Sequence, residues 1–233
     1  MNIWPVFDQF IASRCPLCRA RDDGLCQRCA AALPRNHHPC RRCALPLPPE
    51  APAAGLCGEC QAAPPAFDRA VAPLLYQPPV DDLVARFKYH DRLDLGRLLG
   101  DELAGTLQAQ SAALLLPVPM DAGGLRRRGF NQAAELAHLL SRRLGIPWSA
   151  SLLQRARQAR HQRGLGRSAR QRNLRGAFFL TGRPPARVAI VDDVITTGAT
   201  AGEIAATLKR GGAGWVEVWA VARTPIGDRR RKP

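Results

Sequence analysis

From residue 70 onward, the apolar residues of this chain fall into short continuous runs separated by longer stretches with helical spacing. Ala70–Tyr76 reads as a short strand. Across Val80–Leu107, Leu83, Val84 and Phe87 and then Leu95, Leu98, Leu99 and Leu103 recur every three or four residues. That is the period of one or two amphipathic helices. Ala113–Val118 is an apolar run of strand length, and Asn131–Leu144 is an amphipathic helix stopped by Gly145 and Pro147. Arg187–Val191 predicts a buried strand. Ala199–Arg210 predicts a helix whose last turn carries Lys209 and Arg210, with Gly211 beyond it. Trp215–Ala222 predicts a final strand. Strands alternating with helices imply an α/β fold with a mostly parallel, doubly wound sheet.

The first 65 residues follow another logic. They hold all eight cysteines, as four C-x-x-C pairs: Cys15/Cys18, Cys26/Cys29, Cys40/Cys43 and Cys57/Cys60. A two-residue gap lets both thiolates of a tight turn face one ion, and two such turns complete a tetrahedral site. Eight cysteines therefore predict two structural zinc sites. A disulfide framework and an iron–sulfur cluster are the alternatives, and a reducing cytosol argues against the first. Sequential sharing, the first two pairs on one ion and the last two on the other, is favoured over a cross-braced arrangement. His37 and His38 could substitute as ligands but read as surface residues. So short a module has little core of its own, so metal supplies most of its stability. The expected organisation is a zinc module at 1–65, an α/β domain at 66–225 and a basic disordered tail at 226–233. Residues 62–66, the end of a proline-rich stretch, form the linker.

Charge adds a partner class. The net charge is +15 over 233 residues, and residues 123–183 supply fourteen Arg, no Lys and a single acid, Glu135. The guanidinium fork grips two oxygens at once, so an Arg-only stretch suits phosphates. A solvated basic face is the plainer reading. Pro5 and Asp8 interrupt the first apolar run, no basic n-region precedes it and no stretch approaches bilayer-spanning length. These features predict a cytoplasmic protein with no membrane insertion.

The most informative segment is Arg187–Thr200, RVAIVDDVITTGAT. A buried strand runs into Asp192 and Asp193, a short loop follows, and a helix begins. In open parallel sheets, ligands bind beyond the carboxyl ends of the strands. Backbone N–H groups at the helix start face an anion, the Thr hydroxyls add donors, and Gly198 removes a Cβ from the approach. Two carboxylates cannot hold a phosphate. They suit sugar hydroxyls or an associated Mg²⁺ ion.

This segment resembles the signature that type I phosphoribosyltransferases use to bind 5-phosphoribosyl-1-pyrophosphate (PRPP). The resemblance implies that Asp192 and Asp193 contact the ribose hydroxyls as the catalytic pair. It also implies that Thr196, Thr197, Gly198, Ala199 and Thr200 hold the 5′-phosphate. A wider order of motifs surrounds it. Four C-x-x-C pairs precede Arg86-Phe87-Lys88-Tyr89, then Pro117-Val118-Pro119, then Arg128-Gly129-Phe130-Asn131-Gln132. The whole resembles the ComF family, which includes GntX-like proteins and is linked to competence and DNA uptake.

That resemblance implies a zinc ribbon module followed by a type I phosphoribosyltransferase fold. It implies PRPP with Mg²⁺ as ligand, and transfer of a phosphoribosyl group to an unknown acceptor. Single-stranded DNA or DNA-uptake proteins are the implied partners, and a catalytically weak PRPP sensor or DNA-handling protein is the alternative. A complete glutamine amidotransferase is not expected, because the chain begins Met1-Asn2 without a catalytic cysteine. The pyrophosphate would sit on a loop at Pro119–Gly129, held by Arg126, Arg127 and Arg128. Asn131 and Gln132 would face the site from the following helix. Arg155–Arg175, with eight Arg, resembles a hood that closes over PRPP. Lys88 and Tyr89 end a helix and either reach the site or lie on the surface. His90, His138 and His161 show no metal spacing.

Overall fold

The computed structural model describes residues 14–52, 55–89, 92–107, 112–156 and 176–227. Most of the Arg155–Arg175 segment, His90, His161 and the tail from Asp228 lie outside the described residues.

Two single-turn helices, α1 (Gln27–Ala31) and α2 (Gly58–Ala62), belong to the cysteine-rich segment. The sheet follows with β1 (Arg69–Val71) and β2 (Leu74–Leu75), then helices α3 (Val80–Tyr89) and α4 (Leu93–Ala104). Next come β3 (Leu114–Pro117), α5 (Ala122–Arg128) and α6 (Gln132–Leu144). The chain continues with β4 (Leu153–Arg155), β5 (Phe178–Leu180), β6 (Arg187–Ile195), α7 (Ala199–Arg210) and β7 (Trp215–Arg223). The main sheet has the order β1-β7-β6-β3, with β2 also on β7, and every pairing in it is parallel. β4 and β5 form a separate antiparallel ribbon at the base of the Arg-rich segment.

The central strands are built for double-sided burial. In β6, Val188 and Ile190 face one apolar cluster, and Ala189 and Val191 face the other. One cluster gathers α3, α4 and α6 through Leu83, Phe87, Leu99, Leu103, Leu136 and Leu140. The opposite cluster gathers α7 and Phe178, and it contains Cys40, Cys43, Cys57 and Cys60. The second cysteine cluster is thus packed into the core of the sheet's other face. Helices therefore cover both faces of a parallel sheet, as the alternating pattern predicts.

Three local differences from the sequence reading have physical causes. The strand expected at Ala70–Tyr76 breaks in two around Pro73, which has no N–H to give a ladder. The strand expected to stop at Val191 runs on to Ile195, because β7 keeps pairing with it up to Ile195↔Arg223. The loop expected at Pro119–Gly129 contains a helix, α5. The Asp121 side chain caps it by accepting from the Gly124 amide at 2.7 Å, and Gly129 ends it at φ 76°. Among the described residues, no helix is long and apolar enough to cross a membrane.

Candidate functional site

The eight cysteines segregate by sequence order. Cys15, Cys18, Cys26 and Cys29 form one group and Cys40, Cys43, Cys57 and Cys60 the other, each with its ligand atoms within 4.8 Å of one another. Both ribbons use the same knuckle. The Cys15 and Cys40 amides donate to the carbonyls of Ala20 and Leu45, while the Arg19 and Ala44 amides donate back to the Cys15 and Cys40 carbonyls. Arg19 and Ala44 both take positive φ to close this turn.

The groups fit zinc. Zn–S bonds of about 2.3 Å in a tetrahedron put neighbouring sulfurs about 3.8 Å apart. Cys18 and Cys26 Sγ lie at 3.5 Å, and Cys43 and Cys57 Sγ at 3.6 Å. In each group, backbone amides favour the thiolate of one cysteine. Burial would raise Cys15, but the N–H groups of Cys18, Cys26 and Leu17 outweigh it and bring the thiol down to about 6. Cys40 likewise falls to about 7 against burial, through the amides of Cys43, Cys57 and Arg42. The two sites differ in setting: Cys18 is exposed and Cys26 and Cys29 half-buried, whereas all four cysteines of the second group are buried.

The second centre lies at the carboxyl end of the sheet. β3 stops at Pro117, opposite Val191, whereas β6 continues. Asp192 and Asp193 are the first β6 residues beyond that edge. Asp193 is buried and meets Lys88 of α3, whose Nζ lies 2.7 Å from its Oδ2. Burial pulls the Lys88 ammonium down, but the Asp193 charge more than reverses this and holds its pKa above the ordinary lysine value. Tyr76 completes the surroundings. Its phenol is pushed up mainly by burial, with Lys88 lowering it and Asp193 raising it.

The carboxyl of Asp192 is pushed well above the usual carboxylate range, first by burial and then by the neighbouring Asp193 charge. The folded chain therefore holds this proton to higher pH than the unfolded chain, which releases it near about 3.9. The associated stability is complete below that value and is lost as pH rises through the raised one. Asp192→Asn should raise the ligand-free melting temperature by several degrees at pH 7.5 and leave it nearly unchanged at pH 3.5. Thermal melts at the two pH values check this.

The loop after Ile195 is open. Thr196 and Thr197 are exposed, Gly198 takes φ 76° as the N-cap of α7, and the Thr197 hydroxyl accepts from the Ala199 amide at 3.3 Å. Thr200 lies in the first turn. Gly198 is required by its backbone angle, since a Cβ there would meet nothing closer than 3.8 Å.

Arg126 and Arg127 are exposed on α5. Arg128 lies over the Tyr89 ring at 4.9 Å and donates to its hydroxyl at 3.1 Å. Lys88 and Tyr89, consecutive on α3, thus join the acidic pair to the basic helix. Asn131 works as a cap. Its Oδ1 accepts from the Ala133 amide at 3.0 Å, and its Nδ2 donates to the Val118 carbonyl at 3.1 Å. This ties the start of α6 to the end of β3. Gln132 is buried, and its Oε1 has no hydrogen-bond partner among the described residues.

The sequence leaves Lys88 open between the site and the surface and does not single out Arg223. Lys88 carried a legible signal: it continues the apolar stripe Val80, Val84, Phe87 and so falls on the buried face of α3. Arg223 ends the nine-residue strand β7, of which all but the first residue is buried, and is itself only 1% exposed. A charge closing so apolar a run signals a buried cation.

A family model described as the double zinc ribbon domain matches residues 6–61. Competence protein F of Haemophilus influenzae is 36% identical over 178 residues, spanning 72% of this chain and 78% of that protein. DNA utilization protein YhgH of Escherichia coli (strain K12) is 38% identical over 176 residues, with the same coverage. Among solved structures, glutamine PRPP amidotransferase from B. subtilis overlaps 57% of this chain and 29% of its own, at TM-score 0.39 and 23% identity. A purine phosphoribosyltransferase from Pyrococcus horikoshii overlaps 55% and 71%, at TM-score 0.34 and 22% identity. With two Cys₄ zinc-binding sites ahead of a doubly wound parallel sheet, and relatives of this closeness over most of its length, the chain belongs to the ComF family of competence and DNA utilization proteins.

Proposed function

We propose that the carboxyl end of the sheet binds PRPP with a divalent metal ion and that the protein transfers its phosphoribosyl group to an acceptor. The observation that carries this reading is the step in the sheet edge. β3 ends, β6 goes on to present Asp192 and Asp193, and an exposed Thr-Thr-Gly turn opens a helix within five residues. That arrangement offers carboxylates for ribose hydroxyls beside amides for a phosphate.

In this reading Thr196–Thr200 hold the 5′-phosphate. Asp192 and Asp193 hold the ribose and ease positive charge as it develops at C1. Lys88 keeps Asp193 fixed. Arg126, Arg127 and Arg128 neutralise the departing pyrophosphate, with Asn131 and Gln132 anchoring the helix behind them. A divalent ion, when bound, supplies further charge neutralisation, and two hard carboxylates suit such an ion. Catalysis of this kind is mainly positioning and electrostatics.

Titration calorimetry with PRPP and Mg²⁺ should give saturable binding, lost in Asp192→Asn/Asp193→Asn. An unchanged heat signal and melting temperature at saturating PRPP would sink the reading. Pyrophosphate release across a panel of bases, ammonia and single-stranded DNA tests transfer.

A second reading, a PRPP-responsive protein that handles single-stranded DNA with little catalysis, is favoured by the names of the relatives and by the Arg excess of residues 123–183. Binding of that kind releases counterions and falls steeply with salt. A gel shift across salt concentrations, with Arg126–Arg128 changed to Ala, should show salt-dependent binding that weakens in the variant. Its absence in both forms removes this reading.

A further inference from the structure

The buried guanidinium of Arg223 touches both centres. Its Nε donates to the carbonyl of Cys43 at 2.9 Å, a ligand of the second ribbon. Its Nη1 donates to the carbonyls of Ile195 at 2.9 Å, Thr224 at 3.1 Å and Thr196. Ile195 and Thr196 are the residues from which the anion-facing turn departs.

The geometry of the peptide unit gives this contact a consequence. In a planar trans peptide, the C=O of one residue and the N–H of the next point in opposite directions. Drawing the Ile195 carbonyl inward therefore turns the Thr196 N–H outward, and drawing the Thr196 carbonyl inward does the same for Thr197. The ladder agrees with this. The Ile195 carbonyl also accepts from the Thr224 amide of the β7 side at 3.0 Å, so the Thr196 N–H faces the side that β3 has vacated. Without an inward anchor, an exposed Thr-Thr-Gly turn has many peptide orientations and would lose entropy on binding an anion.

Charge favours the same arrangement. A Cys₄ site holding Zn²⁺ carries four thiolate charges against two positive ones, so it is net anionic. A buried cation beside an anionic cluster is far less costly than one alone.

We propose that Arg223 is the positioning residue of the anion turn. It aims the Thr196 and Thr197 amides at a phosphate, and it is held in place by the second zinc ribbon, which thereby becomes a working part of the phosphate site. The ligand half of this proposal rests on the PRPP reading above.

The test uses the full chain with both sites loaded with ¹¹³Cd in place of zinc, which gives one NMR resonance per Cys₄ site. Adding PRPP and Mg²⁺ should move the resonance of the second site and leave that of the first in place. Cys18→Ser assigns the first resonance by deleting it. Arg223→Lys keeps the charge but removes the fork. It should retain two metals, abolish the ligand-induced movement and weaken PRPP binding about tenfold or more, within the range of measured site-to-site couplings. Backbone ¹⁵N order parameters at Thr196 and Thr197 should be lower in the ligand-free variant than in the parent chain.

PRPP binding that moves neither resonance overturns the proposal, and that measurement needs no variant. So does a folded, two-metal Arg223→Lys with parental affinity and parental order parameters at Thr196 and Thr197. If the parent chain takes up no PRPP at all, the PRPP reading fails separately. The order parameters of Thr196 and Thr197 then decide alone whether Arg223 orients the turn.

Discussion

Cys43→Ser should abolish cooperative unfolding of the whole protein, whereas Cys18→Ser should remove one zinc and leave a cooperative melt. The contrast follows from where the two sites sit. The second set of cysteines shares its apolar cluster with Ile195, Ala201, Ile204 and Val218, so its loss opens the main core. The first set is partly exposed. Structural zinc contributes on the order of 10–16 kcal/mol in small metal-folded units. A domain's entire stability is only about 5–15 kcal/mol. Near-UV circular dichroism of the buried Trp219 reports core packing, and metal analysis gives the stoichiometry. A Cys43→Ser protein with a parental melt and near-UV spectrum would show that the second ribbon is peripheral to the core.

The second large effect concerns the Lys88–Asp193 pair. Both side chains are buried and 2.7 Å apart. Removing one partner of such a pair leaves a buried charge uncompensated, at about 3–5 kcal/mol. At about 2–4 °C per kcal/mol for a chain of this size, Lys88→Met should lower the melting temperature by roughly 6–20 °C. The double variant Lys88→Met/Asp193→Asn should recover most of the loss, since neither charge remains. Because the folded pKa of Lys88 is raised, the pair's contribution is complete below about 10.4 and declines only as pH climbs through that raised value. Equal melting temperatures for parent and single variant would mean that the pair contributes nothing.

The sequence was legible where a single local rule decides the outcome. The rhythm of Val188–Val191 and Trp215–Ala222 required buried parallel strands, and both are there. The spacing of the cysteine pairs required two four-sulfur groups, and sequential sharing is what the fold contains. Legibility failed where tertiary contacts decide. Nothing local to Pro119–Gly129 distinguishes an Arg-rich loop from a capped helix, because two glycines weaken the helical signal that Asp121 restores. Asn131, expected to face a ligand, also caps α6 and ties it to Val118, a structural duty that no local pattern announces. Lys88 and Arg223 are charged residues on buried faces. Each is explained only by a partner distant in sequence: Asp193 for Lys88, and the carbonyls of Cys43 and Ile195 for Arg223.

The place of β7 in the sheet also governs assembly. Of the described strands it is the last to be synthesised, yet it sits in the interior, between β1 and β6. Until it emerges, β1 and β6 have no common neighbour and each shows a bare edge open to wrong pairing. The ribbons can take up metal early, but the guanidinium that links one of them to the Thr-Thr-Gly turn arrives at the end of this strand. Nascent chains halted before Trp215 should therefore depend on chaperones to stay soluble, even with both metals in place.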